Sequence, residues 1–348
     1  MIELRGKADI RQWLREADEA RLEELWTAAD EVRRENVGDE VHLRGLIEIG
    51  NYCCRQCGYC GIRAGNTSLE RYRMTAEEIL GCARDAVEYG YGTVVMQSGE
   101  DYGIETAWIA DIIRAIKTET PLAVTLSFGE RPDKDLEAWR EAGADRYLLR
   151  FETSDQELYD VIHPKFASGL KNRLYVLEIL RRLGYETGSG VMVGIPGQTY
   201  DSLAGDIELF RKLDLDMVGV GPYIAHPATP LAKGNCIRPV PPYEQVPNTE
   251  LMTYKTVALT RLACPQANIP STTALATVNK VNGREFGLTR GANVVMPNLT
   301  PERYRALYEI YPQKAGADAT TSESRAILNA QLRAIGRTVG KGQGGRVR

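Results

Sequence analysis

At 348 residues, with 43 Lys and Arg against 47 Asp and Glu, the chain carries a net charge of -4 and scatters its cations, offering no basic field to nucleic acid. It holds no run of about 18 apolar residues, and its N-terminus lacks the apolar core of a signal peptide, so no membrane contact and a cytoplasmic location are expected. Seven cysteines, an odd number with three in one tight group, argue against a disulfide framework and for a reducing compartment.

Residues 1–40 read as an N-terminal helical cap. Ile10, Trp13, Leu14, Leu22, Leu25, Trp26 and Val32 recur at helical spacing between Asp9 and Asn36, giving one or two amphipathic helices that cap a barrel end. Gly38 and Asp39 break the pattern. Val41 to Gly50 then alternates as a first strand and runs directly into Cys53-Cys54-Arg55-Gln56-Cys57-Gly58-Tyr59-Cys60. Read as Cys53, Cys57 and Cys60, this loop places three thiolates within eight residues and no histidine beside them. A [4Fe-4S] cluster takes four thiolates, so three leave one iron open to a small molecule. A zinc knuckle wants a fourth Cys or His at similar spacing, and ordinary buried cysteines behave as small hydrophobes. Cys82, Cys236 and Cys264 lie alone and far off, which favours the cluster; Cys54 reads as an exposed oxidation liability rather than a ligand.

Beyond the loop, Thr75-Ala-Glu-Glu78 is a capping-box signature opening a helix that Gly90 ends. Strand readings follow at Gly92 to Gln97, Ala123 to Phe128, Arg146 to Glu152, Thr187 to Ile195, Met217 to Ile224, Asn268 to Ala274 and Gly291 to Pro297. Helices fall between them near Thr106 to Lys117, Lys134 to Ala142, Lys171 to Leu183, Ser202 to Leu213 and Tyr243 to Ala263. Eight strands alternating with helices imply right-handed parallel crossovers and a complete (β/α)8 barrel over residues 41–312. An open doubly wound sheet is the alternative. Residues 313–348 read as a C-terminal helix and a Gly/Arg-rich tail packed on or trailing from the barrel, of a composition that favours disorder.

A barrel builds its site where strands end. Polar sets stand there on every strand: the cysteine loop, Gln97 to Glu100, Ser127 to Glu130, Arg150 with Glu152, Val193 to Thr199, Pro222 with Tyr223, Thr272 with Thr273, and Pro297 with Asn298. Any one of these is explained by a turn. Their convergence on one rim is the argument for a site.

The Cys-x3-Cys-x2-Cys spacing, with Tyr59 before the last cysteine, resembles the signature of the radical S-adenosylmethionine (SAM) superfamily. Arg71 to Thr75, Gln97 to Asp101, Gly143 to Arg150, Tyr185 to Gly188, Gly194-Ile-Pro-Gly-Gln-Thr199, Asn268 to Pro270 and Gly291 to Asn298 narrow the likeness to the [FeFe]-hydrogenase maturase HydE family, from about Val32 to Pro312. Methylornithine synthase and biotin synthase are nearby relatives. The resemblance implies a radical SAM barrel with one [4Fe-4S] cluster on Cys53, Cys57 and Cys60, and an oxygen-sensitive enzyme that cleaves SAM reductively to a 5′-deoxyadenosyl radical. It further implies that Tyr59, Gln97, Ser98, Gly99 and Glu100 line the SAM methionine, that Glu152 bonds the ribose, and that Arg173 takes the carboxylate. Arg150, Thr272, Thr273, Tyr308 and Tyr311 match positions lining the substrate cavity. The implied substrate is a cysteine-bound Fe(CO)2(CN) unit, and the implied partners are other hydrogenase maturases and an electron donor such as ferredoxin or flavodoxin.

Two departures from the family stand out. The tail from Gln313 to Arg348 has no cysteine for a second cluster, and Phe151 stands where His is expected, removing a ligand or proton donor beside the substrate. His42, His163 and His226 read as structural. Two other functions are open: a methylornithine-synthase-like mutase acting on lysine, and a non-catalytic iron–sulfur carrier. The presence of both Glu152 and Arg173 speaks against the carrier.

Overall fold

A curled parallel sheet forms the centre of the computed structural model, which describes residues 2–164, 172–235, 237–315 and 321–346. Lys171 and Cys236 fall outside the described residues. Strands β1 (Glu40–Gly50), β2 (Thr93–Ser98), β3 (Ala123–Ser127), β4 (Arg146–Leu148), β5 (Glu186–Val193), β6 (Met217–Pro222) and β7 (Val294–Val295) lie in the order β6-β5-β4-β3-β2-β1-β7, and every ladder is parallel. The strands are buried almost throughout, which is why they read as near-continuous apolar runs.

Helices α3 (Ala76–Glu88), α4 (Thr106–Glu119), α5 (Asp133–Glu141), α7 (Arg173–Arg182), α8 (Tyr200–Lys212) and α9 (Glu250–Ala263) follow the strands. The capping box expected at Thr75 is formed, with Glu78 bonding back to the Thr75 N–H at 2.7 Å. Between sheet and helices Trp139 is fully buried, meets Phe128 edge-on at 5.5 Å and donates its indole N–H to the Thr106 carbonyl. The expected N-terminal helices are α1 (Lys7–Arg15) and α2 (Glu19–Val37), which pack against α8 and α9.

Four expectations change. The fourth strand stops at Leu148 rather than Glu152, because Glu152 holds a left-handed backbone with φ +65° and reaches β5 only through a single bridge to Val191. The seventh, Asn268 to Ala274, makes no ladder; single parallel bridges join Met217 to Asn268 and Pro270 to Val294, and α10 (Thr273–Val278) then begins with Thr272 as its N-cap. Helix α9 starts at Glu250 rather than Tyr243, since the prolines at 239, 241, 242 and 247 withhold backbone donors until Thr249 caps it. Short helices α6 (Gln156–Ile162), α11 (Gly283–Leu288) and α12 (Glu302–Arg305) were not expected, whereas α13 (Thr321–Ala334) is the C-terminal helix.

The described part of the tail is ordered. Strand β8 (Thr338–Val339) pairs with the start of β1. Gly342 and Gly344, at φ +69° and +58°, then turn the chain across the N-terminal ends of the strands. There the Gln343 carbonyl accepts from the Thr93 hydroxyl (2.8 Å) and from Arg146 (3.0 Å), and the Gly344 carbonyl accepts from Arg44 (2.9 Å). Composition missed this because the partners are backbone carbonyls, which every residue type supplies. No helix among the described residues is long and apolar enough to cross a membrane.

Candidate active site

At the opposite end, where the strands finish, a cavity of about 330 Å³ opens. Between Glu48 and Gly50 the register of β1 on β2 slips by one residue, a bulge that re-aims the chain into the cysteine loop. Backbone bonds then pin that loop: Cys54 N–H to Glu100 O (2.9 Å), Gly58 N–H to Ile162 O (2.7 Å), Gly61 N–H to Ile310 O (2.9 Å) and Leu231 N–H to Gly58 O (3.0 Å). Cys53, Cys57 and Cys60 face the cavity, and Cys54 does not line it.

The remaining residues expected at the site all line the same cavity: Tyr59, the run Gln97 to Glu100, Arg150, Glu152 and Arg173, then Thr272, Thr273, Tyr308 and Tyr311. Several are held by specific contacts. Gln97 donates to the Tyr308 hydroxyl (3.2 Å), and the Thr272 hydroxyl caps α10 at Leu275. Arg150 directs an N–H to the Val191 carbonyl at 2.6 Å; its guanidinium lies 3.1 Å from Glu152 Oε2, yet that buried oxygen accepts no hydrogen bond. A buried carboxylate oxygen without a donor is costly unless a ligand supplies one. Burial pushes the Tyr308 phenol well above its usual value, and the Tyr311 phenol upward as well, so both keep their protons at neutral pH.

The residues present fit the cluster and SAM that the resemblance implies. Three cysteines of one loop, all lining the cavity, supply the donor set. Among the described residues no three His, Cys, Asp or Glu side chains converge on a single metal ion. Gly99 lets the cysteine loop pack closely on the end of β2: a Cβ there would stand 2.2 Å from the Tyr52 carbonyl oxygen and 2.8 Å from Cys53 Cβ. Cys54 is half-buried, and burial together with Glu100 pushes its thiol up to about 12, so it is protonated and a poorer oxidation target than expected.

Other expectations are corrected. Phe151 packs on Phe210 of α8 at 5.5 Å and does not line the cavity, so its side chain takes no place in the cavity wall. Gly194 to Thr199 is scaffold rather than cavity wall. Gly194, at φ +80°, donates to the Gln198 side chain at 2.7 Å, and Thr199 caps α8. His226 takes an N–H from Ala228 at Nδ1 and donates from Nε2 to Glu309, a structural role as read.

Among the lining residues that escaped the sequence reading, three form buried ion pairs. Arg55, inside the cysteine loop, lies between Glu100 (2.6 Å) and Glu130 (2.7 Å). Glu48 and Lys314 form a buried pair at 2.6 Å. Glu48 had a signal, a carboxylate amid the apolar β1 residues 46–49; Lys314, in an irregular segment, had none.

Comparisons with known proteins bear on the family and the fold. The Radical SAM superfamily profile matches residues 47–210. The chain is 47% identical over 326 residues to the [FeFe] hydrogenase maturase subunit HydE of Thermotoga maritima, covering 94% of this chain and 89% of that one. It is 28% identical to 3-methylornithine synthase of Methanosarcina acetivorans, over 82% of this chain and 77% of that one. The crystal structure of methylornithine synthase (PylB) superposes with a TM-score of 0.78 at 24% identity, covering 97% and 94% of the two chains, which speaks to the fold alone.

Proposed function

The chain belongs to the radical SAM superfamily and, within it, to the HydE group of hydrogenase maturases, and from that premise we propose that it acts on the sulfur of a cysteine-bound Fe(CO)2(CN) unit during assembly of the di-iron centre of an [FeFe]-hydrogenase. It is a radical SAM enzyme, whose family brings an iron–sulfur cluster and SAM. The observation that carries the reading is that one cavity gathers the three cysteines, Arg173 and the buried carboxylate of Glu152, whose Oε2 has only the Arg150 ion pair beside it.

In this reading Cys53, Cys57 and Cys60 would hold a [4Fe-4S] cluster, one thiolate short of its usual four, beside which SAM would bind. Together the reduced cluster and SAM supply a 5′-deoxyadenosyl radical. Glu152 receives the ribose hydroxyls, Arg173 the carboxylate, and Gln97 to Glu100 with Tyr59 line the methionine. The left-handed backbone at Glu152 is the kind of local strain that functional positions hold. Arg150, Thr272, Thr273, Tyr308 and Tyr311 orient the substrate; the protonated phenols serve as hydrogen-bond donors to its cyanide or carboxylate. Exclusion of water matters because a primary carbon radical abstracts hydrogen from most C–H bonds. The single bridges of segment 268–270 to Met217 and Val294 support a ring closed around the cavity. A ferredoxin- or flavodoxin-type donor and other maturases are the partners, and a cytoplasmic setting suits the oxygen-sensitive centre.

The test is anaerobic. Reconstituted enzyme, SAM, reductant and a cysteine-bound iron carbonyl cyanide complex are incubated and the products weighed by mass spectrometry, with free lysine in parallel. An adenosylated sulfur product that depends on the iron complex supports the reading. Conversion of lysine would move the chain to the mutase, and absence of SAM cleavage with an intact cluster would leave a carrier.

A further inference from the structure

Four charged side chains, two of them among the residues that face SAM in the proposed reading, run in a line of alternating sign from the end of β2 to the start of α7. They are Glu100, Arg55, Glu130 and Arg173, each less than a tenth exposed. Arg55 stands 2.6 Å from Glu100 and 2.7 Å from Oε2 of Glu130, and the other Glu130 oxygen accepts from Nε of Arg173 at 3.0 Å. Glu100 closes the set by accepting the Glu130 backbone N–H at 3.0 Å.

Arg173 is held on three sides. Its Nε goes to Glu130, its Nη1 to the Arg150 carbonyl, and its Nη2 to Nε2 of His163 at 2.7 Å. Burial and the neighbouring Arg173 and Arg55 push His163 down to about 2, so the ring is neutral and accepts. A guanidinium has five N–H donors, and three bonds leave two for a ligand, the number a carboxylate takes in a fork. Left without such partners, a long arginine side chain samples many rotamers and must be ordered at the moment of binding.

We propose that Glu130 and Arg55 are positioning residues: Glu130 fixes the guanidinium of Arg173 so that its two spare donors meet the SAM carboxylate, and Arg55 fastens Glu130 to the cysteine loop. The inference rests on the reading that Arg173 takes the carboxylate. Its consequence is that the loop holding the cluster and the guanidinium gripping the carboxylate of SAM share one side chain, Glu130. Arg55 supplies a planar fork to Glu100 and Glu130 at once, which the point charge of lysine does not reproduce.

The experiment measures SAM affinity of the cluster-loaded enzyme, by calorimetry and by the change SAM causes in the electron paramagnetic resonance of the reduced cluster, beside decarboxylated SAM as the probe lacking the carboxylate. Glu130→Gln is expected to weaken SAM about tenfold, the size of one charge-assisted hydrogen bond, and to leave decarboxylated SAM nearly unchanged. Arg55→Lys should show the same preference loss in smaller measure. Where Glu130→Gln does not take up iron, Glu130→Asp, which keeps the charge and shortens the reach, makes the same comparison. Arg173→Lys is the control for the reading beneath: if it leaves SAM affinity intact, that reading falls and the positioning role with it. If Arg173→Lys weakens SAM while the Glu130 variant binds like wild type, or weakens both probes equally, the positioning role alone is overturned.

Discussion

The ammonium of Lys314 lies 2.6 Å from Oε1 of Glu48 inside the cavity, although 266 positions separate the two in the chain. Asn298 donates to the other Glu48 oxygen at 3.0 Å, and Lys314 also bonds the Tyr308 carbonyl. The pair therefore anchors the irregular segment that carries Tyr308 and Tyr311 across the strand ends. Burial pushes the Glu48 carboxyl up and Lys314 opposes it. Lys314→Met is expected to destabilise the protein by about 3–5 kcal/mol, the usual result of stranding one buried charge. The double variant Glu48→Gln/Lys314→Met should recover most of that loss in anaerobic thermal unfolding. Additive losses would show that the pair does not act as a unit.

Gly99→Ala drives a methyl group into the Tyr52 carbonyl and Cys53 Cβ, so it should displace the cysteine loop and empty it of iron. Cys57→Ala should do the same by removing a ligand. Cys54→Ala should keep wild-type iron and sulfide per chain, since that thiol lies outside the cavity. Iron loss in the Cys54 variant would reassign the ligand set.

Asp206 of α8 is fully buried and accepts from the Ser154 N–H and hydroxyl, tying α8 to the turn that follows Glu152. Burial outweighs these bonds and raises its carboxyl from 3.8 to about 7. The folded state thus binds a proton that the unfolded chain has released. The contribution to stability is complete below about pH 4 and is lost as pH rises through 7, with a slope approaching about 1.4 kcal/mol per pH unit. Asp206→Asn should flatten the pH dependence of unfolding in that window; parallel curves for variant and wild type would refute it.

Removal of residues 338–348 takes away β8 and the carbonyls of Gln343 and Gly344. Arg44, which burial and the neighbouring Arg146 push down to about 9, then loses the Gly344 acceptor. A loss on the order of 3–5 kcal/mol is expected from stranding it, read as a lower urea midpoint. An unchanged midpoint would mean that the tail contributes nothing to the base of the sheet.

The sequence disclosed what local chemistry encodes. Strands β1 to β6 stand out because apolar, β-branched runs alternate with capping signals such as Thr75, and the cavity residues stand out because strand ends converge. Where the segment after Asn268 reads as a strand, Thr272 instead caps a helix; the Ser-Thr-Thr-Ala run held that signal. The tail and the Glu48–Lys314 pair were illegible for another reason. Each joins residues more than 200 positions apart, through a backbone carbonyl in one case and a long flexible side chain in the other. Arg55 was visible as a residue, but its partners sit on the ends of two other strands.

Among the described residues, Glu152 is one of three non-glycine positions with a left-handed backbone, and such a setting costs about 1–3 kcal/mol outside glycine. Glycine or asparagine would relieve it, and either would remove the carboxylate that waits in the cavity. Laboratory evolution of this enzyme under heat alone would therefore be drawn toward discarding Glu152, and a thermostable library needs a catalytic counter-screen at this codon.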